Sequence, residues 1–130
     1  MEISWLGLSS FRIKGKQVTL ITDPFLSETG DNSNRSAANI VCLSYQSPTA
    51  DVAIEKIGGN PYIIRGPGEY EVSNALIIGI PCYQDDNKGS VRGKNTIYAL
   101  EIEELSVCHL GRLGHLLDDE EIETIGNVDV

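Results

Sequence analysis

Residues 17–25 read Gln17-Val18-Thr19-Leu20-Ile21-Thr22-Asp23-Pro24-Phe25. Val18, Leu20 and Thr22 alternate with Thr19, Ile21 and Asp23, and both sets are mostly apolar or β-branched. A strand with one face in water would alternate apolar with polar, so this one predicts cover on both faces. Pro24 then stops the pairing, because it has no N–H to give a ladder. A doubly covered strand so close to the start of the chain points to an α/β, β-rich fold.

Outward from this stretch the chain reads as short strands separated by turn signals. Glu2 to Leu8 and Ser10 to Ile13 precede it, and Lys14-Gly15-Lys16 joins the second of these to Gln17–Thr22 as a hairpin loop. Residues 26–38 are rich in turn formers and predict a mobile surface loop. Ile40 to Leu43 returns to strand. Thr49 or Asp51 is placed to cap a short helix through Ile57, ended by Gly58-Gly59. Tyr62 to Arg65 and Ala75 to Ile80 are further strands, with Gly66-Pro67-Gly68 as a turn between them. Gln84 to Lys94 is a polar loop. Thr96 to Ile102 and Leu105 to Leu110 form a hairpin across Glu103-Glu104, which lacks the usual Asn-Gly chemistry. A helix begins near Asp118, where Glu121 completes a capping box, with Ile122 and Ile125 facing the sheet and Gly126 ending it. Val128-Asp129-Val130 reads as the start of another strand. The tally is seven or eight strands with one or two short helices.

Composition narrows the function classes. Hydrophobic residues make up 41% and charged residues 22% of the 130-residue chain, the balance of an ordinary globular domain. No apolar run approaches the roughly 18–20 residues that span a bilayer, and the N-terminus has no basic region of the kind that opens a signal peptide. The expected compartment is the cytoplasm, with no membrane partner. The net charge is −9, and residues 101–130 hold nine acidic side chains against Arg112 alone. Phosphate backbones demand the opposite sign, which excludes a nucleic-acid role. The acidic segment reads as a solvated face, with a docking surface for a basic partner as the sharper alternative. Cys42, Cys82 and Cys108 sit singly in apolar runs and read as buried free thiols.

Five segments, in order and at compatible spacing, resemble one branch of the metallo-β-lactamase superfamily, the small metal-dependent hydrolases of unassigned substrate. Ile3-Ser4-Trp5-Leu6-Gly7-Leu8-Ser9-Ser10-Phe11-Arg12-Ile13 is similar to its WLGHSCFRI hairpin, and Thr22-Asp23-Pro24-Phe25 to its TDPF segment. Gly66 to Val72 matches GPGEYEV, and Arg92 to Tyr98 matches RGKNTIY. Cys108-His109-Leu110-Gly111-Arg112-Leu113-Gly114-His115 is one residue from CHLGDLGH. The resemblance implies residues 1–130 as a single domain, the N-terminal half of an αββα sandwich with a mostly antiparallel or mixed sheet. It also implies a metal-bound hydroxide attacking an ester, amide or phosphoryl centre.

The departures fall on the ligand positions that the resemblance assigns. Tyr45 and Ser47 stand where the first two His ligands would be, and Thr49 and Ala50 where an Asp-His pair would be. Gln84 takes the place of the third His, Arg112 that of the bridging Asp, and Leu8 that of the His in the first hairpin. Neutral side-chain oxygens are poor zinc ligands, and a guanidinium cannot coordinate at all. The chain therefore reads as a non-catalytic descendant with no cofactor, a binding or structural module. A half-sandwich leaves apolar sheet surface uncovered, which predicts a homodimer.

The alternative is a residual zinc hydrolase with a site rearranged from Asp23, Asp85, His109 and His115. Against it, a lone His on a strand is more often a packing residue than a ligand, and Asp23 reads as a strand-end carboxylate capping amides of the next loop. Serine catalysis lacks a Gly-x-Ser-x-Gly elbow. Gly66-Pro67-Gly68 lacks the Lys-Ser/Thr ending of a phosphate loop.

Overall fold

The computed structural model describes residues 1–26 and 36–130, so the loop expected over 26–38 lies largely outside the described residues. Nine strands and two short helices are found among them. Strands β1 (Glu2–Gly7), β2 (Ser10–Lys14), β3 (Thr19–Thr22), β4 (Ile40–Cys42) and β5 (Tyr62–Ile64) form one mixed sheet in that order. Strands β6 (Gly68–Val72), β7 (Ala75–Tyr83), β8 (Lys94–Ile102) and β9 (Leu105–His109) form a second sheet, also in chain order. Pairing is antiparallel throughout the second sheet and from β1 to β3, then parallel from β3 to β5.

Double cover of the central strands holds residue by residue. Leu20, Ile40 and Cys42 point into the core between the sheets, where they meet Ile77, Tyr98 and Leu100. Ile21 and Val41, their neighbours in sequence, pack on the other side with Ala50 and Ile57 from the segment of helix α1 (Ala50–Glu55). Helix α2 (Asp119–Ile125) covers the outside of the second sheet through Ile125, beside Ile78, Ala99 and Cys108. The chain thus carries both sheets of an αββα arrangement and one helix on each outer face. This alters the argument for a bare sheet face, since the inner faces of the two sheets pack on each other.

Tyr98 ties the layers together. Its ring is fully buried between the sheets, its hydroxyl donates to the Leu43 carbonyl at 2.7 Å and it accepts from the Gly66 amide at 2.9 Å. Thr96 N–H adds a second bond between the sheets, to the Ser44 carbonyl at 2.7 Å.

Several elements depart from the sequence reading. Strand β6 occupies a stretch to which the sequence assigns only the turn at its start. Glu69 and Glu71 face outward while Tyr70 and Val72 pack on the core, the alternation of an edge strand. Strand β7 runs three residues past Ile80, through Pro81. Its pairing with β6 ends at Gly79, so on that side Pro81 has no ladder to interrupt. Helix α1 starts after Thr49 with no side-chain cap, and Asp51 pairs with Arg65 instead. The capping box forms as expected, with Asp118 Oδ1 accepting from Glu121 N and Glu121 Oε2 from Asp118 N, both at 2.8 Å. Ile122, however, is more than half exposed rather than packed on the sheet. Val128–Val130 is not a strand, although Asp129 N and Val130 N donate to the Ser106 carbonyl and Cys108 N donates to that of Val130.

The two tight hairpins both put non-glycine residues in the left-handed region: Ser73 and Asn74 at φ 51° and 62°, Glu103 and Glu104 at 52° and 67°. The second pair carries none of the chemistry that eases this conformation. Glu103 has compensation, since its carboxylate accepts a very short bond from the Lys16 amide in the β2–β3 turn. Glu104→Gly is therefore expected to stabilise the protein by about 0.5–1 kcal/mol, the left-handed strain relieved less the extra freedom of the unfolded chain. Urea midpoints would show it, and a Glu104→Ala variant should gain nothing.

Candidate functional site

The ends of β3, β4 and β5, the start of β8 and the end of β9 come together at one end of the sandwich. Their connecting loops close over it. Openings beyond the carboxyl ends of parallel strands are where α/β sheets commonly receive ligands. Asp23, Tyr45, Ser47, Thr49, Gln84, Asp85, His109, Arg112 and His115 lie here or on these loops, Ala50 opens helix α1, and Leu8 lies in the turn between β1 and β2.

Asp23 is 4% exposed and holds a left-handed backbone at φ 40°. Its Oδ1 accepts from the Ser44 amide at 2.7 Å, so the loop it caps is the one after β4 and not the next loop expected from the sequence. Its Oδ2 meets His109 Nε2 at 2.8 Å, and the imidazole stands edge-on to the Phe11 ring. His115 is committed elsewhere: Nε2 accepts from the Tyr83 amide at 3.1 Å and Nδ1 bonds the Leu116 carbonyl at 2.8 Å. Both of its nitrogens thus serve the backbone.

Asp85 is occupied in the same way. Its two carboxylate oxygens accept from the amides of Asn87, Gly89, Val91 and Arg92, at 2.7–3.2 Å. The Arg92 amide is the strongest influence, and together the amides outweigh the effect of burial and hold the carboxyl down to about 2, from an ordinary 3.8. A depressed folded-state value stabilises the fold above the ordinary one and loses that contribution as pH falls from about 4 through about 2. The urea-midpoint difference between the parent and Asp85→Asn should thus be full at neutral pH and shrink steadily below about pH 4. A difference that stays constant down to about pH 2 would contradict the cradle.

Tyr45 and Arg112, far apart in sequence, meet. The Arg112 guanidinium carbon lies 3.9 Å from the centroid of the Tyr45 ring, a cation–π stack of about 0.5–2 kcal/mol. The Tyr45 hydroxyl is 3.4 Å from Ser9 Oγ. Arg112 is aimed by its backbone: its amide donates to Asn95 Oδ1 at 2.9 Å, while Asn95 Nδ2 donates to the Leu110 carbonyl at 2.9 Å. Gly111 makes this possible, because at φ +60° a Cβ would stand 2.5 Å from that of Ser44. The sequence reading missed Asn95. Its signal was a lone amide at the head of an apolar strand, which a buried strand tolerates only with partners.

The other substituted positions bond locally. Ser47 Oγ and Thr49 Oγ1 are 3.1 Å apart, and Gln84 Nε2 donates to the Lys94 carbonyl at 2.9 Å. Ala50 is buried against Ile21 and Val41. Two hollows flank the Tyr45–Arg112 stack. The larger, about 940 Å³, takes Tyr45, Ser47, Arg65, Gln84, Arg92 and Lys94 into its wall. The smaller, about 540 Å³, takes Leu8, Ser9, His109 and Arg112.

The family model for the beta-lactamase superfamily domain matches residues 2–130. The chain belongs to that superfamily. Among curated proteins none matches. A Thermotoga maritima protein designated a candidate Zn-dependent hydrolase of the metallo-β-lactamase superfamily is similar at 33% identity and TM-score 0.78, over 98% of this chain and 57% of that one. The chain thus spans a little over half the length of that relative. CmlA, a diiron β-hydroxylase from Streptomyces venezuelae, shares the fold at 14% identity and TM-score 0.64, over 98% of this chain and 33% of its own. A candidate metal-dependent hydrolase from Parabacteroides distasonis shares it at 19% identity and TM-score 0.60, over 84% of this chain and 59% of its own.

A metallo-β-lactamase fold implies metal at this end of the sandwich, and the donor set does not fit one. Among the described residues no three His, Cys, Asp or Glu side chains stand close enough to share an ion. Asp23 and His109 are together, but Asp85 and His115 are committed to backbone groups. The Arg112 guanidinium, in the wall of the same hollow as His109, opposes a dication. The three thiols are free: Cys42 and Cys82 are buried and Cys108 half-buried, and burial pushes each thiol above its ordinary value. No described helix is long and apolar enough to cross a membrane.

Proposed function

We propose that this chain is a metallo-β-lactamase-fold protein that binds rather than hydrolyses. The stack of Arg112 on Tyr45 carries this reading, since two positions that would hold zinc ligands contact each other through a cation and a ring. A dication would need three or more anionic or imidazole donors there, and the substituted residues offer hydroxyls, an amide and a guanidinium. Free thiols support a reducing compartment, the cytoplasm. A homodimer is the proposed assembly. It is supported by Ile3, Trp5 and Leu8, which expose apolar surface along β1 and the turn after it, with Trp5 69% and Leu8 68% exposed.

The hydrolase designation of the Thermotoga maritima relative favours the second reading, a zinc hydrolase with a rearranged site. Among the described residues, that reading has only the Asp23–His109 pair to build from. Assaying zinc-grown protein on esters, phosphodiesters and lactams separates the two. Binding without hydrolysis predicts no turnover that chelator removes and zinc restores; such turnover overturns it. Light scattering at micromolar concentration is expected to give a dimer mass, and a monomer mass overturns the assembly.

A further inference from the structure

We propose that the larger hollow is a binding site for a small phosphate monoester, a deepening that rests on the non-hydrolytic reading above. The protein carries net charge −9, yet the charged side chains in this wall are Arg65, Arg92, Lys94 and a single Asp51. That one carboxylate is already engaged by Arg65 at 2.5 Å. Arg92 and Lys94 are the two cations left, and among the described residues neither head group takes part in an ion pair. Two cations with no ion-pair partner among the described residues match the charge of a phosphate dianion.

Their presentation is built into the loop. Asp85 collects the Val91 and Arg92 amides, Gln84 N donates to the Gly93 carbonyl at 3.0 Å, and Gln84 Nε2 donates to that of Lys94. The carboxylate of Asp85 is thus spent on the backbone that holds Arg92 out. Across the hollow, Ser47 brings a hydroxyl that is shared with Thr49, and Ser44, also in the wall, carries a buried hydroxyl with no hydrogen-bond partner among the described residues. The Arg112 charge stands behind the Tyr45 ring. A volume of about 940 Å³ suits an organic group attached to the phosphate, within the range of ordinary ligand sites.

The test is a titration of metal-free 15N-labelled protein with inorganic phosphate at low ionic strength. Amide shifts are expected at Ser44–Ser47, Gly66 and Arg92–Lys94, weakening as salt shortens the Debye length. Arg92→Gln and Lys94→Gln should each weaken binding about tenfold, the loss of one charge-assisted contact. Lys88→Gln, in the same loop but outside the wall, should leave it unchanged. Shifts at other places, or an affinity indifferent to both variants, overturn the proposal while the non-hydrolytic reading stands. Phosphate binding that appears only after zinc is added overturns both.

Discussion

Tyr98→Ala is expected to lower stability by about 3–5 kcal/mol, which for a domain this size removes a large share of the whole. The ring is fully buried where the two sheets face each other, so its loss opens a cavity between Leu20, Ile40 and Leu100 that neither sheet can close alone. Tyr98→Phe separates packing from hydrogen bonding. It keeps the ring but leaves the Leu43 carbonyl and the Gly66 amide unpaired in the interior, at about 1–3 kcal/mol. Burial also pushes the phenol well above its ordinary value, so it stays protonated and able to donate at any pH where the protein folds. Urea unfolding should show lower midpoints with an unchanged slope for the Phe variant. An Ala variant costing no more than Phe would contradict the buried-ring account.

Asp23→Ala is the second large effect, at about 3–5 kcal/mol. The carboxylate serves two buried groups, the Ser44 amide and His109, and removing it strands both. Alanine is also poorly suited to φ 40°, where aspartate is among the better-tolerated residues. Asp23→Asn should cost clearly less, because its carbonyl oxygen can still accept from one of the two donors. The imidazole proton resonances of His109 report the same event directly, and should shift in both variants while those of His115 do not.

These residues show how far sequence carries and where it stops. The doubly covered strands, the Asp118–Glu121 box and the β8–β9 hairpin follow from local alternation and capping chemistry, and each forms where it was read. Strand β6 escaped because its alternation starts directly from a Gly-Pro-Gly turn. Pro81 masked the end of β7, because only the register shows that its missing N–H faces no ladder. The β-rich half of an αββα sandwich was legible, but which sheet faces pack on each other was not, because that is a tertiary fact. At the site, the side chains standing at Tyr45, Ser47, Thr49, Ala50, Gln84 and Arg112 were legible position by position. That Tyr45 and Arg112 would contact each other was not, nor was Asn95, which aims Arg112 from another strand.

The central claim is that the metal seat of this superfamily has been refilled by the protein's own side chains. Equilibrium dialysis of the purified protein against micromolar free zinc tests it most directly. The stack of Arg112 on Tyr45 and the committed histidine predict no stoichiometric uptake, and none gained when Asp23 is replaced by Asn. About one equivalent of zinc retained per chain, and lost in the Asp23 variant, would mean that Asp23 and His109 still anchor a metal, and would contradict the account.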